Sequence, residues 1–393
     1  MASSTSAADS TLRSYESHAS SVKEFQSYLS KDTDYVRLSR LQEEVWNSQE
    51  GDKHFAERYY RADHASNRGQ RRFLRMMVRI GDQLNIKTSA FQLPSAEPKV
   101  LDFCMAPGGF VKTVLKINEN AKVESFSLPP EQGGHRVLIA RKSTAITFMD
   151  VTMFAGEFGL PDVPEHQTEW AGMRQEWPYS TSHYDLIICD GAVLRKHYPE
   201  DHRASIERVR LTCVQLYLGL KRVRNGGNMI VLLHKTNNLR TFRLIHMFYQ
   251  FSSVQLFKPL SAHTINSSFY LVAKDVESDS QACLEAMALF KTIWEYATFD
   301  SASEETFRLC TEFTLQENSL SLEVEEFGPR YIESSRPIWN IQAAALDKQF
   351  VTKKSSANPQ PLRVTEPEKI CTHYLRGRCR YGASCYKSHD ASG

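Results

Sequence analysis

The sequence predicts an α/β protein, a doubly wound sheet with helices on both faces, flanked by helical segments and followed by a small metal-binding module. Three observations carry this. Short apolar runs alternate with amphipathic stretches from about residue 99 to residue 251, the pattern of strands joined by crossover helices. The first run, Val100 to Phe103, passes through Pro107-Gly108-Gly109 into a helical pattern of Phe110, Val111, Val114 and Leu115. Two further runs, Ser253 to Phe257 and Phe269 to Ala273, lie close together and read as a terminal antiparallel hairpin.

Taken in order, residues 1–20 are Ser-rich and expected to be disordered. Residues 21–68 form an N-terminal helical extension, because Val22, Phe25 and Leu29, then Tyr35, Leu38, Leu41 and Val45, recur at helical spacing. The α/β domain spans residues 69–276. It opens on a helix with Phe73, Met76, Met77, Ile80 and Leu84 on one face and Arg71, Arg72, Arg75 and Arg79 around it. Those arginines are either a solvated basic face or a contact for nucleic-acid phosphate. Gly81 and Asn85 are expected to loosen that helix.

After the glycine turn, Ala121 to Leu128 is a second strand ending in a Pro- and Gly-rich loop, and Thr144 to Met149 is a third, ending in Asp150. Residues 151–183 are a long excursion, a lid or an insert. Tyr184 to Cys189 is a buried strand ending in Asp190-Gly191-Ala192. The amphipathic stretch Ile206 to Val223 stops at Asn225-Gly226-Gly227, and Met229 to Leu233 is a strand followed by His234 and Lys235. Leu239 to Phe251 is a helix. Residues 277–350 form a helical extension, residues 351–368 a polar linker, and residues 369–391 the terminal module.

Composition narrows the classes. Among 393 residues, 41% are hydrophobic and the net charge is +2, so any nucleic-acid surface is a local patch rather than a global excess. No apolar run is long enough to span a membrane, and the first residues lack a secretory pattern. Cys104, Cys189, Cys213, Cys283 and Cys310 are scattered among apolar residues and read as reduced core thiols, which places the chain inside the cell, in nucleus or cytoplasm.

A strand, a glycine turn and a helix present free backbone N–H groups above the carboxyl edge of the sheet, where open α/β sheets bind ligands. The spelling Leu101-Asp-Phe-Cys-Met-Ala-Pro-Gly-Gly-Phe110 resembles the first motif of the FtsJ-like RNA 2′-O-ribose methyltransferases, and the resemblance covers roughly residues 70–275. It implies a Rossmann-like methyltransferase sheet. It also implies that the turn, with Asp102, Ala106, Pro107, Gly108, Gly109 and Phe110, holds S-adenosylmethionine (SAM). Many nucleotide-binding folds place an acid at the end of the second strand to grip ribose; here the matching residue is Ser127. Asp150 either caps its loop or, as the resemblance implies, accepts from the adenine amine.

Methyl transfer to a ribose hydroxyl requires an oriented donor and removal of a proton from a poor nucleophile. Asp190 and Lys235 lie just beyond two adjacent strand ends and would meet over the sheet, a carboxylate and an amine able to handle that proton. The family arranges its catalytic groups as Lys, Asp, Lys, Glu. The Asp matches Asp190, which also falls in the cofactor set, and the second Lys, usually taken as the base, matches Lys235. The other two positions depart: Arg75 is the nearest candidate for the first Lys, and Ser268 stands where the Glu is expected. Lys258-Pro259 and the loop after it resemble the family's substrate-side loop.

The terminal module carries Cys371, Cys379, Cys385 and His389, spaced as tetrahedral Zn2+ ligands. The spelling resembles CCCH zinc fingers, most of which bind single-stranded RNA. From Lys369 to His389 there are five Lys/Arg residues and no acid, interleaved with Tyr374, Tyr381 and Tyr386. That mixture suits phosphates and stacked bases, and a structural zinc knuckle is the alternative. The expected function is therefore a SAM-dependent RNA 2′-O-methyltransferase whose finger helps hold RNA, with Arg72, Arg75 and Arg79 as a further RNA contact. The alternative is a catalytically impaired methyltransferase-fold RNA-binding protein.

Overall fold

The structure, a computed structural model, describes residues 18–63, 66–139, 144–160, 172–193, 201–315 and 320–352. Most of the Ser-rich start (residues 1–17), the linker from residue 353 onward and the proposed zinc ligands lie outside the described residues. Four helices come first: α1 over residues 18–29, α2 Thr33–Trp46, α3 Gln49–Asp63 and α4 Asn67–Thr88. Then β1 Lys99–Asp102, α5 Gly109–Ile117, β2 Lys122–Ser127, β3 Thr144–Phe148 and β4 Tyr184–Cys189 alternate. The domain closes with α6 Asp201–Arg222, β5 Val223–His234, α7 Leu239–Phe251, β6 Ser253–Phe257 and β7 Ser268–Val276. Helices α8 Gln281–Phe299, α9 Glu304–Glu312 and α10 Leu320–Leu346 follow.

The seven strands are ordered β3-β2-β1-β4-β5-β7-β6. Strands β1 to β5 are parallel, and β7 runs antiparallel between β5 and β6. The expected doubly wound sheet and terminal hairpin are both present. Winding runs outward from β1 through β2 to β3, then restarts at β4 on the other side, so the crevice for a ligand opens over β1 and β4. Strand β4 is buried at every position and β1 at three of four, which explains their near-continuous apolar spelling.

Two elements differ from the sequence expectation. Helix α4 is not loosened at Gly81; it continues to Thr88 and ends on Ser89 in the left-handed region. Gly81 instead permits close packing, because a Cβ there would lie 2.5 Å from Thr113 Oγ1 on α5. Likewise Asn225-Gly226-Gly227 is not the stop of α6. The helix ends at Arg222, and these residues lie within the long strand β5, with Gly226 at a φ of 76°.

The described parts of the 151–183 excursion are a packed wall. Phe158 stacks on Trp294 of α8 at 3.9 Å between ring centroids, and Trp177 and Tyr179 pack against Phe126 of β2. Tyr179 Oη accepts from the Thr147 amide of edge strand β3 at 3.0 Å. The flanking helices clamp the domain. Tyr35 of α2 meets Trp339 of α10 at 5.4 Å, and Arg336 of α10 pairs with Asp32, the N-cap of α2, at 2.9 Å. Cys104, Cys189, Cys213, Cys283 and Cys310 are free thiols. Among the described residues no helix is long and apolar enough to cross a membrane.

The α4–α5 contact gives a test. A Cβ on Gly109 would lie 2.2 Å from Met77 Cβ and about 3 Å from the α4 backbone, so the two helices would have to separate. Gly109→Ala is expected to cost about 1–3 kcal/mol of stability, read as a lowered midpoint in urea denaturation.

Candidate active site

Strands β1 and β4 end side by side, and each delivers a carboxyl group to the crevice. Asp102 is 2% exposed; among the described residues its Oδ1 accepts the Cys104 amide, at 3.2 Å. Burial pushes its carboxyl up to about 7, offset partly by that amide. Asp190 is sunk among protein atoms with one edge open to a neighbouring cleft. Desolvation and then the Asp102 charge hold its carboxyl well above the usual carboxylate range, and Tyr270 Oη donates to its Oδ1 at 3.2 Å. The Cys104 thiol lies among Asp102, Asp150 and Asp190, and after burial those three acids are what raise it. Three acids predicted from sequence thus share one neighbourhood.

The loop after β4 is placed by close approach. A Cβ on Gly191 would lie 2.5 Å from Cys104 Sγ, and the Gly191 amide donates to Gln215 Oε1 of α6 at 2.9 Å. Gln215 Nε2 returns a bond to the Leu211 carbonyl at 3.2 Å. Asp190 is therefore held from both sides, by β4 and by a helix side chain.

The glycine turn is more enclosed than its sequence suggests. Gly108 has a φ of 104°, and a Cβ there would meet Ile139 at 2.8 Å. The segment before Ile139 folds over the turn, with the Leu138 amide donating to the Pro107 carbonyl at 3.1 Å, and the Ala106–Pro107 peptide is cis. Phe110 points into the core and packs edge-on against Tyr270 at 5.5 Å. Ser127 is buried at the end of β2. Asp150 Oδ1 accepts from the amide and hydroxyl of Thr152, at 2.9 and 2.7 Å, so one oxygen serves as a loop cap.

Beyond Asp190 a cleft of about 520 Å³ opens over the ends of β4 and β5 and the start of β7, and Asp190, Lys235 and Ser268 all line it. Lys235 sits in the left-handed region at a φ of 55°, its amide donating to the Ser267 carbonyl at 3.0 Å. Its loop is fixed from outside by α10: Trp339 Nε1 donates to Thr236 Oγ1 at 2.7 Å, and Tyr331 Oη donates to the Thr236 carbonyl. Ser268 opens β7 directly opposite His234.

Arg75 is the exception. It is exposed, and the cleft is lined by Phe73 and Met77, which lie on the opposite face of α4 at 100° per residue. Arg72 and Arg79 are exposed as well. The arginine among the described lining residues of the cleft is Arg58 of α3, which donates to Asn266 Oδ1.

Sequence reasoning missed Tyr270, although it stands two residues from Ser268 and so shares its side of the strand. It also missed Arg58, whose extension carries no chemical motif. Lys258 is 3% exposed, and its Nζ donates to the carbonyls of Asn266 (2.6 Å), Ser268 (2.9 Å) and His263 (3.3 Å). It ties the loop after β6 to the start of β7, while desolvation lowers its ammonium to about 7. Burial, followed by Arg58, Lys258 and His234, lowers His263 to about 4, so its imidazole is neutral at pH 7. Among the described residues no cluster of His, Cys, Asp and Glu could hold a metal ion.

Residues 83–276 match the model of the FtsJ-like methyltransferase family, and they contain β1 to β7 with the crevice and most of the cleft. Partial structural similarity extends to a ribosomal RNA methyltransferase of Plasmodium falciparum, 15% identical over 50% of this chain and 94% of that one, with a TM-score of 0.33. It also extends to an rRNA methylase of Streptococcus thermophilus, 12% identical over 48% and 92%, TM-score 0.29. A Streptococcus mutans methyltransferase in complex with SAH is 14% identical over 49% and 97%, TM-score 0.31. No curated protein sequence matches significantly.

The crevice fits SAM on its own chemistry: buried carboxyls with few donors suit a ligand carrying a sulfonium and an ammonium. A cationic ligand favours the ionised carboxyls, so its affinity is expected to rise with pH through about 7 and then level off, with proton release below that point. Calorimetry with SAM from pH 5.5 to 8.5 in buffers of different ionisation enthalpy checks this; a flat affinity would refute it. In the ligand-free protein the sign reverses. The Asp102 carboxyl titrates above its unfolded value of 3.8, so its ionisation erodes stability between about pH 4 and 7. Asp102→Asn should therefore raise the thermal midpoint at pH 8 while weakening SAM at least about tenfold.

Proposed function

We propose that this protein is a SAM-dependent RNA ribose 2′-O-methyltransferase. The observation that carries the reading is that Asp190, Lys235 and Ser268 line one cleft beside a carboxyl-lined switch point, within a domain matching the FtsJ-like methyltransferase family. When bound, SAM supplies an electrophilic methyl group on a sulfonium. Asp102 and Asp190 complement that positive charge and orient it. Lys235 Nζ is the group we assign to take the proton of the ribose 2′-hydroxyl as the oxygen attacks. Tyr270 Oη holds Asp190 Oδ1 in place. Ser268 offers a hydroxyl at the cleft edge and supplies no charge. Phe73 and Met77 form the apolar wall that limits water.

We assign the terminal module the role of an RNA grip. Cys371, Cys379, Cys385 and His389 would hold Zn2+, whose binding supplies the folding energy of so small a segment. The exposed arginines of α4 are a second candidate contact for phosphate.

A second reading, an RNA-binding protein with impaired catalysis, is favoured by Ser268 at the expected acid position and by Arg75 facing away from the cleft. Methyl transfer from labelled SAM, followed by digestion and mass spectrometry of the nucleosides, separates the two. The first reading expects 2′-O-methyl nucleosides and a loss of about 100-fold or more in kcat/KM for Lys235→Ala, with SAM affinity retained. No transfer by the wild type, with RNA binding intact in Lys235→Ala, selects the second. Cys379→Ser should reduce bound zinc and weaken RNA binding while leaving SAM affinity unchanged.

A further inference from the structure

Part of the cleft lining lies outside the matched residues 83–276: Trp46, Phe55 and Arg58 come from α2 and α3 and line the same cleft as Lys235. Trp46 ends α2 and is 58% exposed, an unusual cost for the largest apolar side chain unless something covers it. Among the other described tryptophans, Trp294 and Trp339 are fully buried, and the partly buried Trp177 is packed against Phe126 and Arg222. Besides Trp46, the cleft lining combines flat rings, Phe55, Phe73 and the neutral His263, with the cations Arg58 and Lys235. Asp190 is the one acid among the described lining residues.

We infer that this lining is a stacking platform for the base of an unpaired nucleotide, so that the substrate is single-stranded RNA or an RNA end rather than a duplex. The inference rests on the proposed methyl transfer to ribose, and it names the substrate class for that site. Aromatic faces beside cations are what a splayed base and its phosphate need, and stacking of this kind tolerates any base. The volume of about 520 Å³ admits a group of nucleotide size. An A-form helix displays its 2′-hydroxyls across a wide, shallow minor groove. It cannot bring one down between α2, α4 and the loop before Ser268 without unstacking the nucleotide first. A peptide would be expected to meet more hydrogen-bonding groups and less cationic charge than this lining offers.

The test uses the full-length chain and does not depend on turnover. Short single-stranded and duplex RNAs of the same sequence are titrated into wild type, Trp46→Phe and Trp46→Ala, following tryptophan fluorescence and a labelled-RNA anisotropy signal. Single-stranded RNA should quench a component that is missing in Trp46→Phe, and the duplex should not. Trp46→Ala should weaken single-strand binding by about 10-fold or more, and Trp46→Phe should recover most of that loss. SAM affinity should be the same in all three. Equal binding of duplex and single strand, or unaltered RNA affinity in Trp46→Ala, overturns the inference even where methyl transfer is observed. Quenching by single strands without any methyl transfer upholds the platform and instead removes the enzymatic reading. Quenching by basic or acidic peptides with no response to RNA also overturns it.

Discussion

Two carboxyl groups, the buried Asp102 and the cleft-lining Asp190, stand side by side at the point where the sheet changes its direction of winding, and the rest of the site is arranged around the cost of desolvating them. Taking a carboxylate from water into protein is unfavourable unless a donor or a cation meets it. Here the donors are few: the Cys104 amide for one and the Tyr270 hydroxyl for the other. The fold tolerates this because β1 and β4 are adjacent, fully packed strands whose ends cannot separate. Gly191 and Gln215 then fix the loop so that Asp190 cannot swing out to solvent. An arrangement this unfavourable in isolation is characteristic of a place where a ligand completes the charge balance.

The flanking helices make a different contribution, bonding to the loops that carry Lys235 and Ser268. Lys235 is a non-glycine residue in the left-handed region, a conformation that persists only when its surroundings over-determine it. Those surroundings include Tyr331 and Trp339 of α10 on Thr236, and Gln342 of the same helix on the Ile265 carbonyl at 3.2 Å. Arg58 of α3 holds Asn266 on the same loop. The two loops that present Lys235 and Ser268 are thus secured from segments near both ends of the described chain. Helices α2 and α10 in turn hold each other through Tyr35, Trp339, Asp32 and Arg336. The extensions are part of the site and more than packing for the sheet.

Much of this was legible in the sequence where local spelling and local geometry coincide. Strand β4 reads as a buried strand because each of its residues is buried, and Asp190 follows it with no slack in which to move elsewhere. The glycines were legible as positions needing closeness but not as to what comes close. Gly109 meets Met77 and Gly108 meets Ile139, both protein groups brought there by tertiary packing. Gly81 misled for the same reason, since its low helix propensity was overruled by the need to seat Thr113. Arg75 was assigned by chain proximity, yet helical phase decides which residues of α4 see the cleft, and it selects Phe73 and Met77. Arg58 and Trp46 had no signal at all, because nothing local records that α2 and α3 help line a cleft whose Asp190 lies 132 and 144 residues later in the chain (190 − 58 and 190 − 46).

The two halves of the crevice carry opposite charge, and this bears on how a reaction could be ordered there. On the β1 side the neighbourhood is acidic, with Asp102, Asp150 and Asp190 gathered about Cys104. On the β5 side Arg58 and Lys235 line the cleft, and the expected fourth acid is Ser268. On charge alone the first half favours a cation and the second an anion. Asp190 belongs to both. A cation seated against it favours its ionised form, and an ionised Asp190 in turn strengthens the field experienced by a group in the cleft. Asp190 is the carboxyl that the two halves share, and Ser268 at the cleft edge adds no charge.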